Sequence, residues 1–146
     1  MSETPMDSLL LPEIQNVLKR NDGNLFVVVH TYGSHSTYYD RYERHQAHFT
    51  PDVALKATRD NRSILMNAYD NTIRYTDRML HSIIGLLQAQ DRPAAMLFAS
   101  DHGEDIYDDS RNLYLHASPW PSYYQLHVPF LMWTCDMYRE HYPERV

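Results

Sequence analysis

The chain has 146 residues, 43% of them hydrophobic, with 13 Lys and Arg against 19 Asp and Glu for a formal net charge of −6. That length fits one compact domain, and the hydrophobic share excludes wholesale disorder. The acidic balance, with no Lys/Arg cluster, argues against nucleic acid and against a polybasic membrane patch, and the single cysteine, Cys135, excludes an internal disulfide or a Cys-rich zinc finger.

The start, Met1 to Met6 (MSETPM), is polar and lacks the basic region of a signal peptide. Asp7-Ser8 followed by Leu9, Leu10, Leu11, Ile14, Val17 and Leu18 predicts a capped amphipathic helix, with Pro12 tolerated in its first turn and Asn21-Asp22-Gly23 ending it. Leu25 to Val29 is a continuous apolar run, expected to form a strand buried on both faces. The polar, aromatic stretch from His30 to Pro51 reads as a long functional loop.

From Arg62 to Ala89 apolar residues recur at three- and four-residue spacing, which predicts a long helix stopped by Asp91-Arg92-Pro93. Ala94 to Ala99 reads as a second buried strand, and Asp101 to Pro121 as a second long loop containing a helical turn. His127 to Trp133 predicts a third strand near a sheet edge, because Pro129 cannot donate to a ladder. Asp136 to His141 predicts a short terminal helix. The order of elements gives an α/β layered domain over residues 1–146. No segment is long and apolar enough to span a bilayer.

If the first two strands are parallel, the loops after Val29 and after Ala99 meet at one sheet edge, where open α/β sheets bind ligands. That edge would gather His35, Asp101, His102 and His116. Carboxylate oxygen and neutral imidazole nitrogen are zinc ligands, and Asp101-His102 supplies one of each. Adjacent residues on a regular strand point to opposite faces, so the pair needs a chain turning out of the strand, and Gly103 allows a sharp turn. Glu104 reads equally as a group orienting its neighbours and as a plain loop acid. His30 is read as structural, Asp70-Asn71 as an anchor for loop backbone, Tyr38, Tyr39 and Tyr42 as packing residues, and Cys135 as a small buried hydrophobe.

Five blocks carry a resemblance. Residues 30–42 (HTYGSHSTYYDRY), 49–51 (FTP), 67–72 (NAYDNT), 100–104 (SDHGE) and 114–119 (YLHASP) resemble, in order and at nearly the same spacing, blocks of the lipid A phosphoethanolamine transferases. These belong to the sulfatase-like branch of the alkaline phosphatase superfamily. The resemblance implies a three-layer α/β/α alkaline-phosphatase-like fold, of which this chain would be an incomplete half, the C-terminal part of the catalytic domain. It also implies a catalytic zinc held in part by Asp101 and His102, with His35 and His116 contacting the transferred phosphate or a second zinc. The substrates implied are a phosphoethanolamine-donor phospholipid and a glycolipid acceptor, and the place is the inner membrane with the catalytic domain in the periplasm.

The sequence departs from the family pattern at several points. The family's threonine nucleophile and first acidic ligand lie upstream of the Gly-Ser-His block, and nothing before Leu25 matches them; Thr31 sits beside a family threonine that is not the nucleophile. Val53 to Arg59 lacks the cysteine pair common in the family, and Ser36-Thr37 stands where Gly-Pro is frequent. The expectation is a soluble chain with part of a zinc site, weak or no metal retention, no turnover alone and a tendency to self-associate. A sulfatase or phosphodiesterase of the same superfamily, or a non-catalytic module, is the alternative.

Overall fold

The computed structural model describes residues 5–116 and 118–145; the polar start from Met1 to Thr4, and Ala117 of the last block, lie outside them. Helix α1 spans Leu10–Arg20 and α2 spans Arg62–Gln88. Strand β1 (Ala95–Ala99), β2 (Asp105–Ile106) and β3 (Tyr114–Leu115) precede the short helix α3 (Tyr123–Leu126), strand β4 (Phe130–Thr134) and helix α4 (Asp136–His141). Both sheets are two-stranded and antiparallel: β1 pairs with β4, Ala95 opposite Thr134 and Ala99 opposite Phe130, and β2 pairs with β3.

Helix α2 is the spine. Its buried residues, among them Leu65, Ala68, Thr72, Tyr75, Met79 and Ile83, fall on one stripe at helical spacing. Near its C-terminal end Met79 and Ile83 pack on Ile14 and Leu18 of α1. Near its N-terminal end Leu65 and Ala68 pack on Tyr38 and Ile106. The core is therefore two clusters strung along one helix. Tyr38 and Tyr42 are almost fully buried, so their packing role holds.

Three local expectations are corrected. Leu25–Val29 is extended, but no strand lies beside it among the described residues; Phe26 is 91% exposed and only Val29 reaches a core cluster. Apolar β-branched residues favour extension, yet a ladder needs a neighbour to supply backbone partners. Strand β1 is not buried on both faces, for Leu97 is 63% exposed, and its partner runs antiparallel. Cys135 is half-buried and caps α4 instead, its sulfur accepting from Tyr138 N and Ala94 N.

The start of α1 also differs from a plain cap. Asp7–Leu9 form a single 3₁₀ turn, and the Asp7 carboxylate accepts from Tyr32 N at 2.8 Å and Gly33 N at 2.9 Å. The N-terminal turn thus holds the loop before His35, where Gly33 takes a left-handed φ of 56° that its lack of a Cβ permits. At the other end of α1, the Arg92 guanidinium donates to the carbonyls of Leu18 and Asn21. A cation there suits the unpaired carbonyls of a helix C-terminus.

The loop from Tyr42 to Asp52 is pinned by a buried polar knot. Asp52 accepts from Tyr42 Oη at 2.5 Å and from Arg44 Nη2 at 2.7 Å. Asn71, 2% exposed, accepts from His48 N and Phe49 N and donates to Phe49 O. Of the Asp70-Asn71 pair expected to anchor loop backbone, it is Asn71 whose hydrogen bonds do so.

Candidate active site and metal centre

The structure brings three of the four expected site residues into one cluster, from three separate loops. The His102 and His116 rings lie 3.9 Å apart centre to centre, and His35 lies 6.1 Å from His116. Asp101 stands at the rim, its side chain 87% exposed, with Oδ2 3.9 Å from His102 Nε2.

Each imidazole is oriented by a group that accepts at Nδ1. His35 Nδ1 lies 2.7 Å from Ser36 O, His102 Nδ1 lies 2.9 Å from Gly103 O, and His116 Nδ1 lies 3.0 Å from Glu104 Oε1. A carbonyl oxygen only accepts, so the neutral His35 and His102 rings carry their proton on Nδ1. A carboxylate places the His116 proton likewise. All three rings therefore keep the Nε2 lone pair free for a metal ion or a proton.

Further contacts hold these loops in place. The Arg41 guanidinium donates to His35 O at 3.0 Å and Ser36 O at 3.2 Å, and lies 4.2 Å over the Tyr32 ring. Ser34 Oγ lies 2.6 Å from Thr72 Oγ1 on α2. Leu115, just before His116, is held at φ 66°, a strained conformation for a residue with a branched side chain.

Gly103 is needed for a different reason from the expected turn. Its N donates to Gln125 O at 2.8 Å, and a Cβ at this position would meet Tyr124 O at 2.1 Å. The close approach fastens α3 onto the Ser100–Glu104 loop. Ser122 caps α3 by accepting from Gln125 N, and Gln125 Nε2 donates to the buried Asp105 carboxylate at 2.5 Å.

Glu104 proves central. Its side chain is 5% exposed; Oε1 takes the His116 proton bond and Oε2 has no hydrogen-bond partner. Burial pushes its carboxyl above the usual carboxylate range, while the three imidazoles pull it down. The His102–Glu104 spacing was the available signal, because residues i and i+2 share one face of an extended chain. Arg41 gave no such signal.

A zinc ion fits the donors. His102, Glu104 and His116 each offer a ligand atom within 4.8 Å of the others. With bonds of about 2.0–2.1 Å, two tetrahedral zinc ligands stand roughly 3.4 Å apart, so the 3.9 Å between Asp101 Oδ2 and His102 Nε2 needs only a small rotation. An orphaned buried carboxylate oxygen beside two imidazoles is the kind of site a cation stabilises.

Comparison with known proteins yields a consistent set of relatives. A family model described as Sulfatase matches residues 3–146. Kdo(2)-lipid A phosphoethanolamine 7''-transferase of Escherichia coli K12 is 35% identical over 139 residues, covering 92% of this chain and 23% of that protein. Phosphoethanolamine transferase EptA of Salmonella typhimurium is 34% identical over 143 residues, covering 93% and 26%. The chain thus spans about a quarter of the length of these curated relatives.

Among solved structures, the soluble domain of lipooligosaccharide phosphoethanolamine transferase A from Neisseria meningitidis superposes with a TM-score of 0.86 at 35% identity, over 93% of this chain and 42% of that one. The C-terminal periplasmic domain of Escherichia coli EptC, solved as a complex with Zn, gives 0.84 at 26% identity, over 95% and 40%. The α/β fold expected from the sequence is that of these alkaline-phosphatase-like domains, covered here in part.

Proposed function

Since this chain belongs to the sulfatase family, we propose that it carries the metal-binding and phosphoryl-binding part of a zinc-dependent phosphoethanolamine transferase, with a phospholipid as donor and a membrane glycolipid as acceptor. The observation that supports this best is the convergence of His35, His102 and His116, each with Nδ1 engaged and Nε2 free. The curated relatives are named as transferases, which favours transfer over hydrolysis.

In this reading Asp101 and His102 hold the zinc, which supplies Lewis-acid polarisation of a phosphoryl oxygen when bound. His116 Nε2 takes the proton of an incoming hydroxyl and returns it to a departing oxygen. The Glu104 carboxylate behind it balances the positive charge of the ring in between. His35, with Nδ1 held on Ser36 O, takes a proton at Nε2 and as the imidazolium donates it to a phosphoryl oxygen. The nucleophile would come from a part of the longer protein outside this chain, as in the family pattern.

The place proposed is the periplasmic face of the inner membrane. Among the described residues no helix is long and apolar enough to cross a membrane, while one structural relative is described as an integral membrane protein and another as a periplasmic domain. The test is zinc content after dialysis, together with transfer from a labelled phosphoethanolamine lipid. The chain alone should retain zinc weakly and show no turnover. Tight stoichiometric zinc with turnover would overturn the division of the site, and the absence of any zinc response at His102 would overturn the metal assignment.

A further inference from the structure

His35 stands apart from the other two imidazoles. His102 and His116 lie ring to ring, and Glu104 ties His116 to the loop that carries His102. Among the described residues the His35 side chain hydrogen-bonds only Ser36 O, on its own loop. The residue is exposed, so its place beside His116 is set by whatever fixes its backbone. Two charged groups do that. Arg41 donates to His35 O and covers the Tyr32 ring. Asp7 reaches in from the start of α1, accepting from Tyr32 N at 2.8 Å and from Gly33 N at 2.9 Å. An aspartate at a helix start ordinarily accepts from that helix's own amides; here both oxygens are turned to the loop instead.

We propose that Asp7 is a positioning residue for His35: by holding Tyr32 and Gly33 it fixes where His35 Nε2 stands relative to His116. The turn that carries Asp7 is itself fastened, because Ser8 N donates at 3.0 Å to the hydroxyl of the buried Tyr75 on α2. From Tyr32 the constraint passes to His35 by two contacts. The rings meet edge-on at 5.5 Å, and His35 N donates to Tyr32 O at 3.4 Å. Bonds from N–H groups to a carboxylate are charge-assisted and roughly twice as strong as neutral ones. Without them an exposed imidazole must be ordered when its ligand arrives, which costs affinity. Service to a phosphoryl group rests on the transferase reading; the positioning itself rests on the hydrogen bonds.

Asp7→Asn tests this, since the new amide nitrogen would face an N–H donor and only one of the two bonds can survive. Ring-nitrogen NMR of the whole chain, with a chelator present, separates the outcomes. The His35 ring signals should shift while those of His102 and His116 stay in place; a general loosening of the fold would move all three. Inorganic phosphate, added in mildly acidic buffer where imidazoles gain protons, should move the His35 signals of the parent. It should bind Asp7→Asn about two- to tenfold more weakly. A His35 ring unmoved by Asp7→Asn, three rings that move together, or phosphate bound as tightly by the variant as by the parent overturns the proposal. Should the variant not fold, amide exchange in the parent decides: Tyr32 and Gly33 N–H should be protected, and exchange at open-chain rates overturns the proposal. If phosphate leaves His35 unmoved in the parent while Asp7→Asn still shifts its ring alone, the positioning stands and the transferase reading fails.

Discussion

Glu104 Oε1 lies 3.0 Å from His116 Nδ1, joining the loop after β1 to the strand end of β3. Glu104→Gln replaces an obligate acceptor with a side chain that can also donate. The His116 ring should then lose its fixed tautomer, which ring-nitrogen NMR shifts would report directly. An unchanged tautomer would show that Glu104 merely fills space.

Gly103→Ala should be the most disruptive single change in the site loop. The added methyl meets backbone, not a movable side chain tip. Overpacking of this kind costs about 1–3 kcal/mol, and α3 should swing away, taking Tyr124 with it. Thermal melts give the first effect and amide shifts of Tyr124 and Gln125 the second.

Asn71→Ala removes the partner of two part-buried donors and one part-buried acceptor in the His48–Phe49 backbone. Leaving them without a protein partner should cost about 1–2 kcal/mol, read from urea unfolding. Because no hydrogen bond of Asn71 reaches His35, His102 or His116, zinc response at His102 should survive in the folded fraction.

Asp52 gives a pH signature. Although burial works against it, hydrogen bonds from Arg44 and Tyr42 hold its carboxyl below the usual range. A group whose folded pKa is depressed adds stability that is complete above the unfolded pKa, about 3.9. That stability is lost as pH falls through the folded value. Unfolding curves from neutral pH down through this window should show the loss in the parent chain, and Asp52→Asn should flatten it.

Self-association should be measurable. Phe26, Val28, Leu97, Phe130 and Met132 are each more than half exposed, and apolar surface of this kind draws partners from solution. Sedimentation should show a concentration-dependent dimer that Phe26→Asp or Phe130→Asp weakens. A clean monomer at all concentrations would refute this.

Elements with their own periodicity were legible. The long helix expected from Arg62 to Ala89 ends at Gln88, and the terminal helix Asp136–His141 is as expected. Leu25–Val29 misled because its composition reports extension, whereas a strand is defined by a neighbour. Leu25–Val29 has no strand beside it among the described residues, so the shared edge inferred from two parallel strands is not how the histidines meet. They meet because their loops are tied to α2, through Ser34 to Thr72 and through Ile106 packed on Leu65 and Ala68. The importance of Glu104 was hidden because burial belongs to the tertiary structure, even though its spacing from His102 was in view.

The two separate clusters on α2 bear on how the molecule comes apart. A 27-residue helix runs roughly 40 Å, so α1 and the imidazole loops grip opposite ends of one rod. Detachment of α1 would leave the grip around Tyr38, Leu65 and Ile106 intact. Amide exchange should therefore sort into two levels, with α1 opening first and the end that holds the imidazole loops outlasting it.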